Sequence, residues 1–302
     1  MDLWHLHIFC KVVELKSFSK AGKHINLSQP TISSHIKDLE DHFNCRLIDR
    51  FSREAVPTKA GELLYEYARR LIALRDETES ALAEFHGKIS GRLVIGGSTI
   101  PSAYILPRIV GAFTKNYPEV TISVHVGDTD KIIKDTLSGV LELSIVGYKT
   151  EEKRILQEKF IEDEMRLIVP KDHQWAGEKS LDLDMLLKEP FITREEGSGT
   201  LKSIQNSLGA KNHRIEELRI VAEMGSTEAV IQGIKNKVGV SILSALAVSE
   251  ELRSGSLRAL EISGVNLRRR FYLTLHRDRT PSPLCKAFLK FLKKEKINQG
   301  IQ

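Results

Sequence analysis

Gln29, Thr31, Ser33, Ser34 and Lys37 place amide, hydroxyl and ammonium groups on one short stretch, and their chemistry is hydrogen bonding. At about 100° per residue, Ile32, Ile36 and Leu39, continued by Phe43, form an apolar stripe. Pro30, Ser33, Ser34 and Lys37 share the opposite face. With no large apolar side chain outward, such a helix suits a DNA major groove, its N-terminal Gln29 and Thr31 directed at base edges. A second set of hydroxyls recurs in four glycine-led turns: Gly97-Ser98-Thr99, Gly127-Asp128-Thr129, Gly197-Ser198-Gly199-Thr200 and Gly225-Ser226-Thr227. Each precedes a helical pattern, where free N–H groups and partial positive charge favour a carboxylate or oxyanion. Ordinary helix capping is the competing explanation. The acids Asp128, Asp130, Glu195, Glu196 and Glu228 also compete for those helix ends.

Spacing dictates the elements that hold these groups. Phe18, Ala21, Gly22 and Ile25 recur helically, and the two small residues admit a second helix closely. Asn26-Leu27-Ser28 is a turn, Ser28 caps the next helix, and Pro30 lies in its first turn. Upstream, Leu6, Phe9, Cys10 and Val13 complete a three-helix core. Residues 45–58 read as a two-stranded wing whose Arg50 and Arg53 reach phosphates, contacts that position without specifying sequence. Helix–turn–helix geometry alone also occurs in proteins that never touch DNA. The candidate DNA contacts are Phe18, Ser28, Gln29, Pro30, Thr31, Ser33, Ser34, Lys37, Arg50 and Arg53.

Beyond the wing, Ala60, Leu64, Tyr67, Leu71, Leu74, Thr78, Ala81 and Phe85 alternate steps of four and three. That 3.5-residue seam with charged flanks favours lengthwise pairing with a second copy over docking on its own chain. Thr58 caps its start and Gly87 and Gly91 bracket its end. From Gly91 the pattern alternates strand and helix through two βα units, with strands at 93–95, 120–126, 141–146, 166–170, 219–223, 240–243 and 271–275. Two α/β lobes with a mostly parallel sheet are expected, hinged around a ligand.

Composition bounds the rest. The net charge is +5, yet residues 1–60 contribute only +2 and residues 266–302 contribute +8, read as a solvated helix face. DNA affinity must then come from local placement of cations. No apolar run nears 18 residues, and the N-terminus lacks a basic segment of the secretory type. Cys10, Cys45 and Cys285 match neither a disulfide framework nor zinc spacing, and read as packing thiols in a reducing cytoplasm, with redox sensing through Cys45 or Cys10 as the alternative. His5 and His7 have no neighbouring cluster, and no metal or cofactor is expected. There is no GxSxG or HExxH, and residues 197–202 lack phosphate-loop spacing, so an enzyme is not expected.

The segments SFSKAGKHINLSQPTISSHIKDLE (17–40), CRLIDR (45–50) and PTKAG (57–61) together resemble the LysR-type transcriptional regulators. Gly22 stands where the family usually has alanine, and Ser34-His35 where it more often has Arg-Gln. The phrases REEGSGT, MGSTEAV and GVSILS are similar to the branch with cysteine-metabolism and carbon-fixation regulators. The resemblance implies an α/β chain with an all-α N-terminal part: a winged helix-turn-helix (1–58), a long linker helix (59–89) and a two-lobed effector domain (90–302). The effector domain would have a type 2 periplasmic-binding-protein fold, lobe I spanning about 90–161 and 267–302 and lobe II about 162–266. It further implies double-stranded operator DNA, a homodimer through the linker helix joining into a tetramer, and a small metabolite between the lobes. It singles out Ser98, Thr99, Thr129 and Thr200 as effector contacts, with Ser198 and Thr227 behind them. Constitutive DNA binding, with the lobes used only for assembly, is the alternative that ligand-induced stabilisation would exclude.

Overall fold

The apolar spacing of the N-terminal segment closes as helices α1 (Leu3–Leu15), α2 (Phe18–Ile25) and α3 (Gln29–Phe43), followed by strands β1 (Ile48–Asp49) and β2 (Val56–Pro57) and the long helix α4 (Lys59–Phe85). The computed structural model describes residues 1–49, 54–85 and 89–298. Asp2, Ser17 and Ser28 cap the first three helices with their side chains, and Lys16, Asn26 and Asn44 end them in the left-handed conformation. Leu6, Phe9, Ile32, Ile36 and Leu39 fill the core. The buried Glu40 accepts the N–H groups of Leu47 and Ile48 at 2.9 and 3.2 Å, anchoring the wing to α3. The wing strands pair antiparallel, Ile48 against Pro57 and Asp49 against Val56. Thr58 caps α4 as expected, accepting from Gly61 N–H at 3.1 Å. Only glycine fits at 61, because a Cβ there would stand 2.0 Å from the Leu47 carbonyl oxygen.

The α4 seam divides. Ala60, Leu64, Tyr65 and Ile72 pack on the N-terminal core around the buried Ala68. Leu63, Tyr67, Leu71, Leu74 and Leu82 form an exposed stripe instead. Helical rotation explains the difference: Leu64 faces the winged-helix body, while Leu63 sits one residue back on the outward side. Residues 1–86 form one unit and 87–302 a second.

The second unit is built on β3 (Gly91–Ser98), a π-helical turn (Pro101–Ile105), α5 (Leu106–Asn116), β4 (Val120–Gly127), α6 (Thr129–Leu137) and β5 (Leu143–Val146). A 16-residue strand β6 (Ile155–Pro170) follows, then β7 (Ser180–Leu181), α7 (Leu183–Leu186), β8 (Phe191–Arg194), α8 (Gly199–Gly209), β9 (Ile220–Met224) and α9 (Thr227–Lys235). The chain finishes with β10 (Ser241–Ser244), α10 (Ser249–Ser254), β11 (Leu257–Ile262), β12 (Arg268–His276) and α11 (Pro283–Asn298).

The sheet is mixed, which corrects the mostly parallel expectation. β3 pairs parallel with β4 and β5, and β8 with β9. β12, β10 and β11 all run antiparallel to β6. The cause is β6 itself. Its first half pairs with β12, and its second half with β10 and β11, so one continuous strand serves both lobes. Leu93, Ile95, Phe113, Phe271 and Phe288 pack the first lobe, and Leu167, Phe191, Ile204 and Ile242 the second. Cys10 and Cys285 are buried free thiols, whereas Cys45 is exposed, contrary to the packing role expected of it. Burial pushes the Cys10 thiol up to about 12, which suppresses its thiolate.

Candidate nucleic-acid interface and effector site

On α3, Ser28 spends its hydroxyl on the helix end, accepting from Thr31 N–H at 3.3 Å and meeting Thr31 Oγ1 at 2.7 Å. Gln29 Nε2 donates to Ser33 Oγ at 2.9 Å, so the amide lies along the outward face. Gln29, Pro30, Ser34 and Lys37 are exposed, and Thr31 and Ser33 half-buried. The outward face therefore carries the polar residues the periodicity assigned to it. Phe18 differs: it opens α2 but packs against the core, holding the motif together from beneath. Arg50 and Arg53 lie outside the described residues.

In the second unit, three of the four glycine-led turns cap helices through a residue one or two positions before the threonine. Asp128, Ser198 and Ser226 accept from Lys131, Thr200 and Ala229 N–H at 2.8, 3.3 and 3.1 Å. Capping is thereby complete without Thr129, Thr200 and Thr227, whose hydroxyls turn to other partners. The first turn differs. Ser98 ends β3 and is buried, and Ser102 donates to the Gly97 carbonyl at 2.7 Å.

Two buried arginines connect these hydroxyls. Arg194, at the end of β8, donates from Nη1 to Thr227 Oγ1 at 2.9 Å and from Nη2 to Thr99 Oγ1 at 3.4 Å. It thus links a turn of the first lobe to one of the second. Its Nε and Nη2 also hold both oxygens of Glu195 at 2.7 Å. Arg269, on β12, donates from Nη1 to Thr200 Oγ1 at 3.1 Å and from Nε to the buried Asp163 at 2.7 Å. Ser244 donates to the other oxygen of Asp163 at 2.6 Å. Arg269 Nη2 is buried with no hydrogen-bond partner among the described residues. A guanidinium carries five donors in a planar fork suited to carboxylate or phosphate, and this one has a donor to spare.

The lobes meet backbone to backbone beside this network. A Cβ on Gly199 would stand 2.9 Å from Thr129 Oγ1 and 3.1 Å from Gly147 Cα, so neither side tolerates a larger residue. Thr129 is fully buried there and accepts from Gly147 N–H at 3.4 Å. The nearby acids are engaged. Glu195 neutralises Arg194, Asp128 caps α6, and Asp130 accepts from the Tyr148 phenol. Burial and then that hydrogen bond to Asp130 raise the Tyr148 phenol well above its ordinary value, so it remains a donor.

Residues 3–62 match the family model of the bacterial regulatory helix-turn-helix protein, lysR family, and residues 86–296 match the LysR substrate binding domain. The chain belongs to the LysR family of transcriptional regulators. A probable RuBisCO transcriptional regulator of Cyanidioschyzon merolae is 31% identical over 94% of both chains, in keeping with the carbon-fixation arm of the branch resemblance. The HTH-type transcriptional regulator CysL of Bacillus subtilis is 31% identical over 88% of each. Among solved structures, the Synechocystis PCC6803 CcmR regulatory domain in complex with 2-PG is 29% identical with a TM-score of 0.64. It covers 69% of this chain and 98% of its own. Among the described residues no helix is long and apolar enough to cross a membrane.

Neither arginine of this LysR effector domain stood out as a site residue in the sequence. Arg269 lies in the basic C-terminal stretch read as a solvated helix face, but that part of the stretch is strand. On β12, Arg269, Phe271 and Leu273 share the buried face while Arg268 and Arg270 point outward. The period-2 alternation with Phe271 and Leu273 was the available signal. Arg194 follows Phe191, Ile192 and Thr193 in a strand buried throughout, where a charge at the strand's carboxyl end marks a binding position.

Proposed function

We propose that this LysR-type regulator reads operator DNA as a homodimer and binds a small anion between its effector lobes. Domains of 1–58, 59–89 and 90–302 serve reading, pairing and sensing. Ser98, Thr99, Thr129, Ser198, Thr200 and Thr227 surround the anion, with Arg194 and Arg269 supplying charge. The observation that carries this reading is Arg269: a buried guanidinium tied to Thr200, with Nη2 unpartnered. An anionic oxygen placed there satisfies a donor that is costly to leave unmade. The ligand then stabilises one lobe arrangement, and the shift in population changes how the paired α3 helices meet DNA. The protein acts in the cytoplasm as a regulator and catalyses no reaction.

The ligand named for the Synechocystis domain supplies the first probe. Added 2-PG should raise the thermal midpoint of the full-length chain in proportion to the logarithm of its concentration once saturating. A flat response to 2-PG and to a panel of small carboxylates and phosphates would overturn the anion reading. For the DNA face, Gln29→Ala should relax operator discrimination by about 1–3 kcal/mol at one base pair, the worth of a bidentate contact. Competition gel shifts with single-base operator variants read this directly, and an unchanged preference would remove Gln29 from base readout.

A further inference from the structure

The N-terminal unit holds a cluster of ligating side chains that the outward face of α3 does not use. His5 on α1, with His35 and Asp38 on α3, each place one donor atom within 4.8 Å of the others. His35 and Asp38 are three residues apart and so project from one face of the helix. The His5 and His35 rings meet edge to face with centroids 4.8 Å apart. His35 Nδ1 is buried with no hydrogen-bond partner among the described residues.

The contacts of His5 sharpen the geometry. Its Nδ1 lies 2.7 Å from Asp2 Oδ1. Asp2 Oδ1 also accepts the His5 backbone N–H at 2.9 Å, so one carboxylate oxygen holds His5 at two points. In the tautomer that donates Nδ1–H to Asp2, His5 keeps Nε2 as its ligating nitrogen. Its Nε2 lone pair faces Asp38 Oδ2, 4.0 Å away. With His35 in reach of both, two imidazoles and one carboxylate can offer their ligating atoms to a single cation.

We propose that His5, His35 and Asp38 bind a divalent transition-metal ion of the zinc class, with Asp2 orienting His5 from behind. Two imidazoles and one carboxylate suit zinc, cobalt or nickel, whereas calcium and magnesium favour all-oxygen sets. Metal–nitrogen bonds of about 2.0–2.1 Å require the donors to close by roughly an ångström. Asp38 is exposed and free to swing inward. The bound ion ties α1 to α3 beside Ser34, on the helix that presents the DNA face.

Trp4 adjoins His5 and stacks on His7, with ring centroids 5.7 Å apart. The chain's other tryptophan is Trp175, so full-length protein with Trp175→Phe reports from Trp4 alone. After chelator treatment, Co2+ should bind at one equivalent per chain, quench Trp4 emission and give visible d–d bands without thiolate charge transfer. Zn2+ should reverse both signals. His35→Gln and Asp38→Asn should each weaken binding at least about tenfold. Asp2→Asn, which keeps a capping side chain, should weaken it by about 10–100-fold, as loss of an outer carboxylate does. Unchanged metal-free Trp4 emission and circular dichroism establish that each variant folds. His7→Gln and Cys45→Ser should leave the affinity as it was. No stoichiometric binding, retention in both His35→Gln and Asp38→Asn, or loss in His7→Gln or Cys45→Ser would overturn the assignment.

Discussion

Arg269→Met is expected to destabilise the effector unit by about 3–5 kcal/mol and to abolish its response to a small anion. The stability loss follows from what remains behind. Asp163 has a fully buried side chain whose charge is compensated by Arg269 Nε. With the guanidinium gone, Ser244 is the one side chain among the described residues that still donates to that carboxylate, and a buried charge is left largely unpaired. Stacking of Arg269 over Phe271, at 5.0 Å to the ring centroid, is also lost. The double variant Arg269→Met/Asp163→Leu separates the two roles. Removing both charges should restore most of the stability, short by about 1–3 kcal/mol for the orphaned Ser244 hydroxyl. It should not restore ligand binding. In a Trp4→Phe background, Trp175 in the second lobe reports urea unfolding of this unit alone. If the double variant stays as unstable as the single one, the uncompensated-charge explanation fails. If it recovers both stability and ligand response, Arg269 is a structural arginine and the anion sits elsewhere.

The contrast between Arg269 and the threonines marks where the sequence was legible. Helix starts are local, so the Gly-Ser/Thr turns could be placed from a few residues. Which side chain caps and which turns to the cleft depends on one or two positions of register, visible only when Asp128, Ser198 and Ser226 are seen accepting the helix N–H groups. The α3 face was readable because one helix decides it: Ile32, Ile36 and Leu39 bury, and the remainder faces out. β6 was harder, because strand 166–170 looked complete on its own. That it begins at Ile155 and joins both lobes depends on pairing with β12, about 110 residues away in sequence. The His5, His35 and Asp38 cluster was invisible for a related reason. Its members lie on two helices, and nothing in the spacing of His5 and His7 points to position 35.

Leu71→Glu/Leu74→Glu is expected to convert the protein to monomers and to reduce operator affinity by two orders of magnitude or more. Leu71 and Leu74 are 43% and 51% exposed within a stripe that continues through Leu63, Tyr67 and Leu82. Their outward position means the substitutions spare the core, which α4 contacts through Leu64, Tyr65, Ala68 and Ile72. Burying a leucine contributes about 1.5–3 kcal/mol, and a symmetric pairing buries four of these two residues' side chains. Since about half of each side chain is already covered within the monomer, the lost burial is about 3–6 kcal/mol, or roughly two to four orders of magnitude in dimer dissociation, before any cost of bringing four carboxylates together. On DNA the effect is smaller, because each monomer still recognises one half-site. What disappears is the effective concentration, of millimolar order for short tethers, that makes the second half-site's binding intramolecular. The wild-type gel shift should therefore depend on both half-sites, and the variant's on one. Light scattering reads the first effect and half-site deletion the second. A variant that remains dimeric would move the pairing surface off α4, and a monomer that still binds the full operator tightly would leave dimerisation without a part in recognition.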